Sequence, residues 1–236
     1  MKSVKIFHLV ALLTVMINCY SQQNYAVIDD PDGYTNVRLE PSIKSQVLGK
    51  IVDGEIFWVS EDDESGWCYV NFLQESDADA NINDYEKMVD GLVLRDGYVH
   101  KSRVRRLNSP EGGFLMNADA GPDNYMMKDS LMVYMKISKY TAPDAVDIRE
   151  TWGIDIGDGI PKEKIASAYL EINDQRYFLP TSGFFEANFS TTELIYDELM
   201  DVFLLTMINS DGAGYYLCAW KVSRNGDVKR YAFRPY

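Results

Sequence analysis

Short runs of β-branched and aromatic residues, each cut off by Gly, Asp, Asn or Pro, recur from about residue 25 to the end of this chain. Such runs suit a pleated, half-buried surface and the breakers set turns, so the pattern predicts strand after strand with little helix. The expected strands are 47–51, 56–60, 67–72 and 97–100, then 131–138, 166–172, 176–179, 202–208, 215–222 and 229–233. Residues 202–208 form an unbroken apolar run, the pattern of a strand covered on both faces. Asn225-Gly226 supplies the positive φ angles of a tight type I′ hairpin turn. Only 161–165 and 192–200 read as helical, the second introduced by the capping sequence Ser190-Thr191-Thr192-Glu193.

The first 21 residues have the order of a secretory signal peptide: Lys2 and Lys5, then the apolar run 6–17, then a short polar end. That run is shorter than the roughly 20 residues a membrane-spanning helix needs. Cys19 and Ser21 fit a cleavage after Ser21, which makes the chain a periplasmic or secreted protein. Lipidation of Cys19 is the second reading, although Asn18 is bulkier than the residue that normally precedes an acylated cysteine. No later stretch reaches transmembrane length, so no integral membrane segment is expected.

Without Lys2 and Lys5, 23 − 2 = 21 basic residues face 36 acidic ones, a net charge near −15. Such a surface repels phosphate backbones, so no nucleic-acid partner is expected. It also keeps an exported protein soluble. Cys68 and Cys218 remain after processing. They fall in different predicted units, so two separate buried thiols are favoured over one bridge. The segment 107–113, with Pro110 and paired Gly112-Gly113, marks the boundary between those units. The linker then runs over 108–130 and the second β-rich unit over 131–236. Within the first unit, residues 73–96 read as an insertion. Its acidic part 74–80 is expected to be a mobile loop, and 85–89 a single helical turn.

Several blocks in the first unit follow one another in a characteristic order. Asp30-Pro31-Asp32-Gly33-Tyr34-Thr35-Asn36-Val37-Arg38 comes first, then Pro41-Ser42, Ser45, Val47, Gly49 and Gly54-Glu55. Trp67 with Val70 follows, and Gly97-Tyr98-Val99-His100-Lys101-Ser102-Arg103-Val104 closes the set. In this order residues 25–107 resemble a bacterial SH3-like domain. The expected fold class is therefore mainly β: an SH3-like barrel followed by an antiparallel sandwich or barrel-like domain with little helix. The resemblance implies recognition of peptidoglycan or short peptides. Candidate ligand contacts are Tyr34, Trp58, Trp67, Tyr69 and Tyr98, with Arg38. Aromatic faces stack on sugars and prolines, and an arginine grips a carboxylate with two donors.

Chemistry beyond binding finds little support. His100 is the one histidine left after the leader, so the Cys–His pair of a cell-wall peptidase has no partner for Cys218 in the second unit. One histidine and two distant cysteines do not make a zinc site, and no cofactor is implied. Residues 151–159 offer oxygen ligands at Asp155 and Asp158, but lack the Asp-x-Asp-x-Asp-Gly pattern with its distal Glu, so they read as a polar turn. Glu171, Asp174, Glu186, Glu193, Asp197 and Glu198 lie near aromatics, yet no spacing marks a working pair. Asp129-Ser130-Leu131 resembles a short O-glycosylation acceptor of some Gram-negative bacteria.

The expected function is that of an exported, non-catalytic binding protein for peptidoglycan fragments or peptides. One alternative is an inhibitor or immunity-type protein, whose acidic surface suits a basic hydrolase as protein partner. Another is a glycoside hydrolase using a carboxylate pair in the second unit.

Overall fold

A computed structural model describes residues 24–61, 64–76, 86–107, 123–141, 147–154, 161–210 and 212–235. The leader, Asp155, Asp158 and most of the expected linker lie outside them. The protein is mainly β, built of curled antiparallel sheets and short 3-10 turns.

The first unit contains β1 (Tyr25–Ile28), β2 (Tyr34–Arg38), β3 (Val47–Val52), β4 (Phe57–Val59), β5 (Trp67–Glu75), β6 (Met88–Val89), β7 (Leu92–His100) and β8 (Val104–Arg106). They form one curled sheet in the order β3-β2-β7-β5-β4-β1-β8, with β6 pairing β7. Period-2 alternation sends Val37, Phe57, Val59, Cys68, Val70 and Val99 into a common core.

Two four-stranded antiparallel sheets follow. The outer one has the order β12-β11-β10-β9, from β9 (Asp123–Lys128), β10 (Leu131–Lys139), β11 (Glu163–Ile172) and β12 (Gln175–Leu179). The inner one runs β13-β14-β15-β16, from β13 (Glu193–Asp197), β14 (Val202–Asn209), β15 (Tyr216–Ser223) and β16 (Val228–Phe233). Their facing sides share one core, so the second unit is a sandwich.

The inner sheet is buried on both sides, as the apolar run 202–208 predicts. Phe203, Leu205 and Met207 of β14 point into the sandwich core. Leu204 points the other way, with Ile195, Leu217, Ala219, Tyr231 and Phe233, against Tyr25, Val27 and Ile56 of the first unit. β1 is thus a shared wall: Ala26 and Ile28 face the first core, while Tyr25 and Val27 face the inner sheet. Each large apolar side chain buried there stabilises the junction by roughly 1.5–3 kcal/mol. Polar contacts ring it: Tyr25 Oη donates to the Cys218 carbonyl at 3.1 Å, Lys229 pairs with Glu55 at 2.6 Å, and Arg105 with Asp197 at 2.5 Å.

Several local expectations are corrected. Residues 123–128, placed in the linker by sequence, are edge strand β9 and pair with β10. Residues 163–165 begin β11, because Ile165 is buried between exposed Lys164 and Ala166, a period of two and not of 3.6. Asn188, rather than the Ser-Thr pair, caps a 3-10 turn at Phe189–Thr191, and the chain then enters β13. In the insertion, β5 runs on to Glu75, β7 starts at Leu92, and Met88–Val89 is a strand rather than a helical turn. Cys68 and Cys218 are free and buried, Cys68 in the first core and Cys218 in the sandwich core.

Candidate binding cleft on the first unit

Along β2 the side chains of Tyr34, Asn36 and Arg38 point outward while Thr35 and Val37 point in. Trp67 and Tyr69 of β5, and Tyr98 and His100 of β7, alternate in the same way. Register then sets neighbours: Arg38 opposes Tyr98, Tyr98 opposes Tyr69, and His100 opposes Trp67. The Tyr69 and Tyr98 rings meet edge to face at 5.6 Å, and the Trp67 and His100 rings at 5.5 Å. Gly97 permits the close approach of β7 to β2, since a Cβ there would lie 2.7 Å from the Arg38 carbonyl oxygen.

Beside this stripe lies an open cleft of about 730 Å³. It is lined by residues of β2 together with Trp67 and His100. Asp30 and Asp32, Pro41 and Ile43 of the β2–β3 turn, and Ser102 and Arg103 also line it. Of the candidate contacts, Tyr34, Arg38 and Trp67 line the cleft, and Tyr69 and Tyr98 continue the stripe away from it. Trp58 lies elsewhere: it packs against the junction with the inner sheet, next to the Tyr25 and Ile56 cluster.

The lining balances two carboxylates, Asp30 and Asp32, against two guanidinium groups, Arg38 and Arg103. Arg103 is held by Asp30 at 2.8 Å, an acid whose side chain is only 5% exposed. Arg38 donates one N–H to the Ser45 carbonyl at 2.8 Å, which fixes its direction and leaves further donors of its fork for a ligand. The Tyr34 ring is 37% exposed, with the Lys50 ammonium 4.2 Å from its centre. His100 Nδ1 lies 2.8 Å from Ser102 Oγ and 3.4 Å from the Ser102 backbone nitrogen, which holds the ring at the cleft.

No family model matches this chain, and no curated protein matches it in sequence.

His100 and Arg103 joined the cleft unforeseen. The signal for His100 was available, because it is outward in a period-2 block whose tyrosine was already a candidate. The carboxylates weighed for glycoside cleavage are spread over several elements, and three of them have partners of their own. Glu171 pairs with Arg176, Asp197 with Arg105, and Glu186 accepts from the Lys162 backbone N–H. Glu193 sits on β13, where burial raises its carboxyl above the usual range. Among the described residues, no cluster of three or more His, Cys, Asp or Glu has the placement to hold a metal. None of their helices is long and apolar enough to cross a membrane. Asp129-Ser130-Leu131 forms the β9–β10 turn, with Asp129 at a φ of 53°.

Proposed function

We propose that this protein is an exported, non-catalytic binding protein that takes a peptidoglycan fragment or short peptide in the cleft between β2 and the β2–β3 turn. The observation that carries the reading is the convergence of Tyr34, Arg38 and Trp67 on one open cleft. The ring of Tyr34 offers an apolar face, and Arg38 offers spare donors pre-aimed by its bond to Ser45. A stem peptide supplies both complements, small apolar side chains and a terminal carboxylate. Balanced charge in the lining removes the repulsion that a net charge of −13 would otherwise impose on an anionic ligand.

The test is a pulldown on purified peptidoglycan, followed by calorimetry with a defined muropeptide. The unaltered protein is retained, and Tyr34→Ala with Arg38→Ala weakens binding by roughly tenfold or more, about 1.4 kcal/mol. Absence of retention of the unaltered protein overturns the cell-wall reading, and a peptide array then decides whether any peptide is bound.

A further inference from the structure

The outer sheet of the sandwich carries a second feature, independent of the cleft. Register places Tyr125 of β9 opposite Tyr134 of β10, Tyr134 opposite Tyr169 of β11, and Tyr169 opposite Phe178 of β12. One aromatic row therefore crosses every strand of the sheet. It stands on the face away from the core, since the residues flanking its members, such as Met126, Val133, Met135, Ala168, Leu170 and Leu179, are buried. Three strand spacings make the row about 14 Å long.

The row is preorganised. Tyr134 and Tyr169 stack at 4.9 Å, 22° from parallel, and Phe178 meets Tyr169 edge to face at 6.3 Å. The Arg176 guanidinium sits 4.7 Å from the centre of the Tyr169 ring and pairs with Glu171 at 2.5 Å. Tyr134 Oη donates to the Asp123 carboxylate. The two central tyrosines thus each cover one face of the other. The end members are the most exposed, Tyr125 at 53% and Phe178 at 72%. Holding rings in place beforehand removes much of the ordering cost of binding.

Charge narrows the partner. The charged side chains in the rows beside the aromatics are Asp123, Lys136, Glu171 and Arg176, two of each sign, on a protein of net charge −13. A basic partner finds no excess negative charge here, and a second copy adds its own −13 to the encounter. A neutral, polyhydroxylated chain meets neither obstacle: its C–H faces cover exposed rings and its hydroxyls pair with the flanking polar groups. An exposed sheet face suits an extended polymer better than a small molecule, which needs a concave site. We infer that the outer sheet binds a neutral glycan chain laid along the row from Tyr125 to Phe178.

Affinity electrophoresis of the full chain tests this, in gels containing hydroxyethylcellulose, xylan, galactomannan or peptidoglycan glycan strands freed of stem peptides. At least one polymer should slow the protein. Tyr125→Ala with Phe178→Ala should weaken that retardation at least tenfold, while Phe178→Trp keeps it. Both altered residues are exposed, and circular dichroism checks that the fold is kept. The inference is overturned if no polymer slows the protein, or if the double variant is slowed like the unaltered chain. It is equally overturned if sedimentation shows a dimer that the double variant abolishes, because a second copy then covers the face.

Discussion

Lys87 shows how much a single residue carries at the junction. Its ammonium donates to the carbonyls of Ile148 at 3.1 Å and Thr151 at 2.6 Å, 5.8 Å from the centre of the Trp152 ring. Burial, with a smaller push from the Arg234 charge, lowers its pKa from 10.5 to about 8. Below about pH 8 the lysine is charged in folded and unfolded chains alike, so the burial penalty is felt in full. Between about 8 and 10.5 the folded chain releases this proton while the unfolded chain keeps it. The unfolded state then binds more protons, and stability rises with pH. Urea unfolding of the protein and of Lys87→Met should therefore diverge in the protein's favour from pH 7 to pH 9.5. The divergence is roughly 1 kcal/mol after discounting for the part of the side chain that water screens. Cys218, whose thiol burial pushes up, titrates identically in both proteins and cancels. A difference that stays flat with pH sinks the assignment.

At the scale of elements, the β5–β7 hairpin is a clamp rather than a loop appended to the first unit. Its tip strand and turn are gripped from the second unit at several points. Arg230 of β16, only 5% exposed, reaches Asp90 with Nε at 3.0 Å and Nη2 at 2.7 Å, and also donates to the Ser182 carbonyl. The Trp152 indole N–H donates to the Met88 carbonyl at 2.9 Å, and the Gly91 N–H to Glu150 at 3.0 Å. Val89 is part of the sandwich core. Arg230→Met should cost about 1–3 kcal/mol in denaturant unfolding, since charged hydrogen bonds are lost and the Ser182 carbonyl loses this donor. Amide exchange over 88–93 should quicken more than over β2 and β3. Uniform quickening across both regions would show that the hairpin is not a separate clamp.

The same elements show what the sequence could reveal. β14 was legible because a strand covered on both faces is continuously apolar, a local property. β9 was not, since an edge strand takes its register from β10 and its own residues 123–128 show no long run. The insertion read as an acidic loop and a helical turn because its anchors, Asp90 and Met88, mean little without Arg230 and Trp152 far along the chain. In the cleft, Tyr34 and Arg38 were expected from the ordered blocks that resemble an SH3-like domain. His100 and the aromatic row of the outer sheet depend on cross-strand register, which no single run of residues records.

At the scale of the whole molecule, three layers share two cores through the inner sheet, so the units are not thermodynamically separate. Truncation after Leu107 would uncover Tyr25, Val27 and Ile56, and truncation before β9 would uncover Leu204, Leu217, Tyr231 and Phe233. Urea unfolding should therefore give a single transition, with tryptophan fluorescence and far-ultraviolet circular dichroism superimposing. Two resolved transitions would mean that the junction is weaker than its buried side chains indicate.

The hydrogen bond from Tyr25 to Cys218 joins residues 193 positions apart. On a ribosome adding about 5–20 residues per second, Tyr25 waits about 10–40 s for that partner to be synthesised. Until then the wall formed by Tyr25, Val27 and Ile56 is bare and adhesive. The order of the chain thus exposes an apolar surface early and covers it late, which makes incomplete chains prone to aggregate.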